Sequence, residues 1–213
     1  MRLIKEMIMH MKIGKVILSF FRLRHYLNEI GWFRSIAENE VVDKNNNSLP
    51  WYTYSSIYFI SKKIKNEMIV FEYGSGNSTL WWSRSVSKVI SCEHDLQYFN
   101  SLKKRIASNV EYIYCKLEYA GDYSKIIRSF SNCFDIIIID GRDRINCVKN
   151  SLEALKYDGI IIWDNSDRSR YEKGYSFLNE HGFRRLDFEG IGPLNTYKWC
   201  TSIFYRDPNC FGI

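Results

Sequence analysis

Met68-Ile69-Val70-Phe71-Glu72 followed by Tyr73-Gly74-Ser75-Gly76 is an apolar run that ends in an acid and breaks at two glycines. The run is short enough for a strand, and Ser78 is placed to cap a helix carrying Thr79, Leu80, Trp81 and Trp82. The same alternation continues downstream. Lys88–Glu93 is predicted as a second strand, with Asp95 capping a helix through Leu102 and Ile106. A third strand follows over Val110–Cys115, then a helix near Ser124–Phe130. Phe134-Asp135-Ile136-Ile137-Ile138-Ile139-Asp140 holds four isoleucines in succession, a pattern that requires burial on both faces and so a central parallel strand. A helix over Asn146–Lys156 leads to a buried strand at Gly159–Asp164. A helix near Tyr171–His181 and strands at Phe183–Phe188 and Thr201–Tyr205 complete the pattern. The fold class expected is α/β: a doubly wound, mostly parallel seven-stranded sheet.

Residues 1–60 precede this alternation as an N-terminal helical extension, leaving 61–213 as the sheet domain. The chain has 213 residues, of which 46% are hydrophobic and 25% charged, a globular profile with three prolines and no Pro-rich linker. Lys44-Asn45-Asn46-Asn47-Ser48 is short enough for a surface loop. None of the six cysteines forms a C-x-x-C pair, and several sit in apolar stretches, which suits structural thiols in the reducing cytoplasm. The net charge is +6, and residues 1–25 carry +5 of it, from six basic residues against Glu6. The remainder is nearly neutral, which argues against a nucleic-acid-binding face. The basic segment is amphipathic at helical spacing, and His10, Lys12 and Lys15 interrupt any signal-peptide core or membrane span. Such a helix packs on the domain, on a second subunit in a homodimer, or on an anionic membrane surface as a peripheral contact.

In an open parallel sheet, ligands bind beyond the carboxyl ends of the strands. Here those ends carry Glu72 with Gly74-Ser75-Gly76, Glu93-His94, Asp140-Gly141-Arg142 and Asp164-Asn165. The dinucleotide fingerprint needs a third glycine three residues after the second, and Thr79 stands there, which disfavours NAD or a nucleotide-sugar. Glu93 closes the next strand 17 residues past Gly76, where a carboxylate accepts both hydroxyls of a ribose.

Glu72-Tyr73-Gly74-Ser75-Gly76 with Glu93 resembles the cofactor signature of class I S-adenosylmethionine-dependent methyltransferases, over roughly residues 68–207. The resemblance implies strand order 3-2-1-4-5-7-6 with the last strand antiparallel. It also implies S-adenosylmethionine as cofactor. Gly74 and Gly76, with Asn77 and Ser78 beside them, would line its methionine part. Glu72 would face the amino group or the sulfonium, Glu93 the ribose, His94 the adenine, and Asp122 the adenine amine.

Asp140 and Asp164-Asn165 resemble in turn the ligand set of metal-dependent O-methyltransferases of the catechol and caffeoyl-CoA type. That resemblance implies Mg²⁺ or another hard divalent cation on Asp140, Asp164 and Asn165. The other reading is that Asp140 faces the cofactor and Asp164-Asn165 caps the next helix. The metal-dependent enzymes place a lysine base three residues after the first ligand, where this chain has Asp143, so Asp140 and Asp143 are the candidate bases. Arg142 and Arg144 flank Asp143 and suit an acceptor carrying carboxylate or phosphate, unless they simply hold the loop. Two aromatic stretches, Trp51-Tyr52-Thr53-Tyr54 and Gly190–Trp199, fit the walls of a pocket for a small or glycan-type acceptor. The function expected is O-methylation of such an acceptor. The rivals are a catalytically inactive scaffold of the same fold and a different nucleotide-binding Rossmann protein.

Overall fold

The computed structural model describes residues 12–213, so the part of the basic segment at 1–11 lies outside the described residues. Seven strands form one sheet: β1 (Ile69–Tyr73), β2 (Lys88–Glu93), β3 (Val110–Tyr114), β4 (Phe134–Ile139), β5 (Leu155–Asp164), β6 (Arg184–Gly190) and β7 (Trp199–Tyr205). Their order is 3-2-1-4-5-7-6. All pairs from β3 to β5 are parallel, and β7 runs antiparallel to both β5 and β6. The mostly parallel seven-stranded sheet is the one expected from the alternating pattern, and its strand order the one the resemblance implied.

The helices are α1 (Lys12–Glu29), α2 (Trp32–Glu38), α3 (Tyr54–Ser61), α4 (Asn77–Ser83), α5 (Leu96–Leu102), α6 (Asp122–Lys125), α7 (Arg144–Ser151) and α8 (Glu172–Glu180). The strand period of two divides the four isoleucines of β4 between two cores. Ile137 and Ile139 pack with Phe71, Tyr73 and Trp163 on one face, over α7 and α8. Ile136 and Ile138 pack with Val70, Ile160 and Trp82 on the other, over α3 and α4. Both faces being covered is why β4 tolerates no polar residue between Ile136 and Ile139.

Several boundaries differ from the sequence reading. Ser78 does not cap α4: the N-cap is Gly76, and Thr79 Oγ1 accepts its N–H at 3.1 Å. The helix after β2 stops at Leu102, and the segment after β3 is one α-turn followed by a 3₁₀ turn, Ile126–Ser129. β5 begins at Leu155, where a helix to Lys156 was expected, because Leu155 pairs with Phe134 across a β-bulge. That bulge offsets the register by several residues, a feature with no period in the sequence.

The N-terminal segment is stapled to β6 and the β6–β7 connection. Tyr54 N–H donates to Ile191 O at 2.9 Å, Thr53 Oγ1 to Phe188 O at 3.0 Å, and Trp32 Nε1 to Asn195 O at 2.9 Å. Gly192 is required at this seam, since a Cβ there would lie 2.2 Å from Tyr52 O and 2.4 Å from the Trp199 ring. Gly192→Ala should therefore cost about 1–3 kcal/mol, the scale of core overpacking, in urea unfolding. A loss below about 0.5 kcal/mol, the level of a neutral surface substitution, would show that the seam yields freely.

Candidate active site

Four carboxyl groups stand at the carboxyl ends of β1, β2, β4 and β5. Glu72 is fully buried, and Glu93 and Asp164 are nearly so. Asp140 keeps a quarter of its side chain open. The β1–α4 turn crosses them. Gly74 and Gly76 have φ of 98° and 152°, which side chains rarely adopt. A Cβ on Gly74 would lie 3.2 Å from Gly141 Cα, and one on Gly76 3.0 Å from the Tyr98 hydroxyl. The β1 and β4 turns thus touch backbone to backbone.

Thr79, which stands where a dinucleotide site has glycine, is part of this turn. Its hydroxyl donates to Glu72 Oε2 at 2.5 Å while accepting from Gly76 N–H. Glu72 Oε1 has no partner, and burial raises this carboxyl to a pKa of about 7. Glu93 is anchored differently. Oε1 accepts from the N–H groups of His94 and Asp95 at 2.7 and 2.8 Å, and Oε2 accepts from Ser75 Oγ at 2.5 Å. Ser75 also meets the Tyr112 hydroxyl at 2.8 Å. His94 is half-buried with its ring edge-on to Tyr123, and Asp122 opens α6.

Arg144, 7% exposed, is the buried cation among these acids. Its Nη2 donates to Asp140 O, Asp140 Oδ1 at 3.0 Å and Asn165 Oδ1 at 3.3 Å, its Nη1 donates to Asp164 O, and its Nε donates to Gly141 O. Asp164 Oδ1 accepts from Trp199 Nε1 at 2.9 Å and Thr201 Oγ1 at 2.6 Å. Burial, and then the mutual repulsion of the two aspartates, raise Asp140, with Arg144 opposing; burial likewise raises Asp164.

This arrangement bears on two expectations. Arg144 is turned inward and is not free to bind an acceptor anion. Of the side chains expected to hold a cation, Asp140 Oδ1 and Asn165 Oδ1 accept from Arg144, while the Asp164 carboxylate accepts from Trp199 and Thr201 and only its backbone oxygen meets the guanidinium. No group of three or more His, Cys, Asp or Glu side chains could hold a metal among the described residues. With Asp140 and Asn165 engaged by Arg144, and the Asp164 carboxylate by Trp199 and Thr201, no step below runs through an ion. Asp143 is also committed: Oδ2 accepts from Ala120 N–H at 2.7 Å and Oδ1 from Asn146 Nδ2 at 2.8 Å. Asp164 and Asn165 do not cap the next helix; Asp164 ends β5, and Asn165 turns at φ 51°.

Two cavities meet at Asp140. One, about 410 Å³, is lined by Ser75, Gly76, Asn77, Ser78, Tyr98 and Asp140, with Val41 and Trp51 from the N-terminal segment. The other, about 210 Å³, is lined by Asp140, Asp164, Asn165, Arg168, Asn195, Tyr197, Trp199 and again Trp51. A third, about 350 Å³, opens on the other side of Arg144, beside Arg142, Asp143 and Arg170. The sequence singled out the stretches holding Trp51 and Tyr197 but not Arg168, an exposed arginine after β5 whose guanidinium makes no hydrogen bond or ion pair among the described residues. Tyr52, expected with Trp51 in a pocket wall, is instead fully buried in the core.

No protein-family profile matches the chain, and no curated protein does. Solved structures do. The precorrin-6y C5,15-methyltransferase of Geobacter metallireducens is 14% identical, with TM-score 0.58 over 81% of this chain and 96% of that one. A Streptococcus mutans protein in complex with S-adenosylhomocysteine is 17% identical, with TM-score 0.51 over 70% and 94%. The spermidine synthase of Thermotoga maritima is 19% identical, with TM-score 0.52 over 69% of this chain but only 55% of its own. Identities this low establish the fold: the chain has the class I S-adenosylmethionine-dependent methyltransferase fold. The presence of a spermidine synthase among these structures leaves the reaction to the site.

Glu72 supplies a pH test. Its carboxyl rises from 4.5 to about 7 on folding, so the native chain binds a proton that the unfolded chain has released. The stability that Glu72 contributes is therefore fullest below pH 4.5 and is lost as pH climbs towards 7, by about 3 kcal/mol at 1.36 kcal/mol per unit. Glu72→Gln cannot titrate, so the gap between the variant and the parent should shift by that amount across this window in urea melts. Parallel curves would show that Glu72 is ionised throughout.

Proposed function

We propose that the protein transfers a methyl group from S-adenosylmethionine to an oxygen of a small, anionic, glycan-type acceptor, with Asp140 taking the acceptor proton. The observation that carries this reading is the position of Asp140, whose carboxyl forms part of the wall of two adjoining cavities. The larger is of a size to hold a nucleoside-type ligand.

The residues fit that cofactor. The unpartnered Glu72 Oε1 suits an ammonium, the glycine turn leaves room for a close-lying ligand, and Glu93 suits a ribose diol once Ser75 yields its bond. Gly74, Gly76, Asn77 and Ser78 would line the methionine part, and His94 the adenine edge. When bound, S-adenosylmethionine supplies an electrophilic methyl carbon: the C–O bond forms as the C–S bond breaks.

The chain's own work is positioning and proton removal. Burial and the neighbouring Asp164 raise the Asp140 carboxyl, so it holds a proton far better than a surface aspartate would, as a base working near neutral pH requires. Arg144 fixes its orientation, and Trp199 with Thr201 fix Asp164 behind it. On the acceptor side, Trp51 and Tyr197 present faces 46% and 66% exposed, which suit a sugar ring. Asn165 and Asn195 offer hydrogen bonds to its hydroxyls, and Arg168 a free guanidinium for a carboxylate or phosphate.

S-adenosylhomocysteine should bind in calorimetry, and Glu93→Ala should weaken it by about 1.5–3 kcal/mol. No binding, or binding of NAD in its place, would overturn the reading. Asp140→Asn should retain that binding while lowering turnover on a panel of hexuronates and hexose phosphates by about 10²–10⁴. Excess chelator should leave turnover unchanged; a chelator-sensitive rate restored by Mg²⁺ would return the aspartates to a metal. A cofactor-binding protein idle on every acceptor would favour a non-catalytic scaffold.

A further inference from the structure

α1 is an 18-residue helix whose one substantial packing partner among the described residues is α2. Ile13, Val16, Ile17, Phe20, Phe21 and Leu23 recur at helical spacing along one side, and each is 49–69% exposed. A helix of this length with so little packing is marginal in water, and an apolar stripe of this size on a surface marks something that covers it.

The charge says what that is. Lys15 and Arg22 lie on the opposite side from the stripe, Arg24 near its carboxyl-terminal end, and none forms an ion pair among the described residues. The only acid on the helix, Glu29, is held by Lys44 at 2.6 Å. Residues 1–25 hold +5 of the chain's +6. A second copy pressed stripe to stripe would cover the apolar side but leave Lys15 and Arg22 unpartnered on the outside, whereas an anionic lipid surface satisfies stripe and charge at once. No helix among the described residues is long and apolar enough to cross a membrane, so α1 lies in the plane of such a surface.

We propose that α1 is an interfacial anchor for anionic lipid, with Phe20 and its apolar neighbours among the acyl chains and Lys15 and Arg22 towards the headgroups. Arg24, one turn after Phe20 and so on the stripe's own face at its carboxyl-terminal end, is long enough to snorkel to the same layer. Gly31 turns the chain directly into α2, whose Trp32 holds Asn195 in the acceptor cavity wall, so the anchor is tied to that wall. The inference does not rest on methyl transfer.

The test is flotation of the full chain with vesicles of phosphatidylcholine alone and with phosphatidylglycerol added. The protein should float with the anionic vesicles only and be released by salt. Ile17→Glu with Phe20→Glu should abolish flotation. Lys15→Ala with Arg22→Ala should weaken it about thirtyfold, the expectation for two basic residues at a lipid surface. Both variants should keep the parent melting temperature, since α1 lies outside the two cores. Equal flotation on neutral and anionic vesicles, or none on either, would overturn the proposal. So would a concentration-dependent dimer in light scattering that the Phe20→Glu change dissolves.

Discussion

The site depends on one buried guanidinium among too many acids. Glu72, Asp140 and Asp164 end three adjacent strands, where neighbouring backbones lie only about 4.8 Å apart. Three carboxylates at that spacing would repel strongly in a low-dielectric interior. Arg144 answers the Asp140 carboxylate directly, Trp199 and Thr201 answer that of Asp164, and Glu72 is left to protonation and Thr79. Arg144 reaches this position because Asp143 just before it adopts a left-handed φ of 50°, held by bonds to Ala120 and Asn146. The strained residue that sequence offers as a base is thus what aims the buried arginine.

The strands were legible because burial on both faces leaves little choice of residue. The run from Ile136 to Ile139 announces a central strand, and its neighbours follow from the rhythm of acids and glycines at strand ends. What period cannot encode was missed. The start of β5 depends on a bulge opposite Phe134, and the cap of α4 on Gly76 being free to turn where Ser78 is not. Thr79 counted against a dinucleotide site by composition, but its use, bridging Glu72 and Gly76, required the fold.

The site divides the same way. Strand-end residues Glu72, Glu93, Asp140 and Asp164 lie together as their positions in the pattern imply. The convergence of Asp140, Asp164 and Asn165 was equally readable, yet the sequence left open whether a cation or an arginine stands between them. Only the direction of the Arg144 side chain decides that. The boundary near residue 60 obscured a second fact. Val41 and Trp51 line the larger cavity, and Trp51 the smaller one too, in a segment held there by bonds between residues far apart in sequence, such as Asn77 Nδ2 to Val41 O.

Polarity across the smaller cavity gives it a direction. Its floor is carboxyl, with Asp140 and Asp164 joined behind to Arg144, while Arg168 stands free at its wall and Arg142 and Arg170 edge the neighbouring cavity. An anionic ligand lowers its energy by placing its charge beside Arg168 and is repelled from the floor. A neutral hydroxyl has the opposite preference, since a carboxylate accepts its hydrogen bond. If the proposed acceptor carries both groups, it would enter one way round, hydroxyl towards Asp140, with its ring between the Trp51 and Tyr197 faces. Orientation of this kind is most of what a transfer reaction asks of its site, because a reacting oxygen held in line needs little further help.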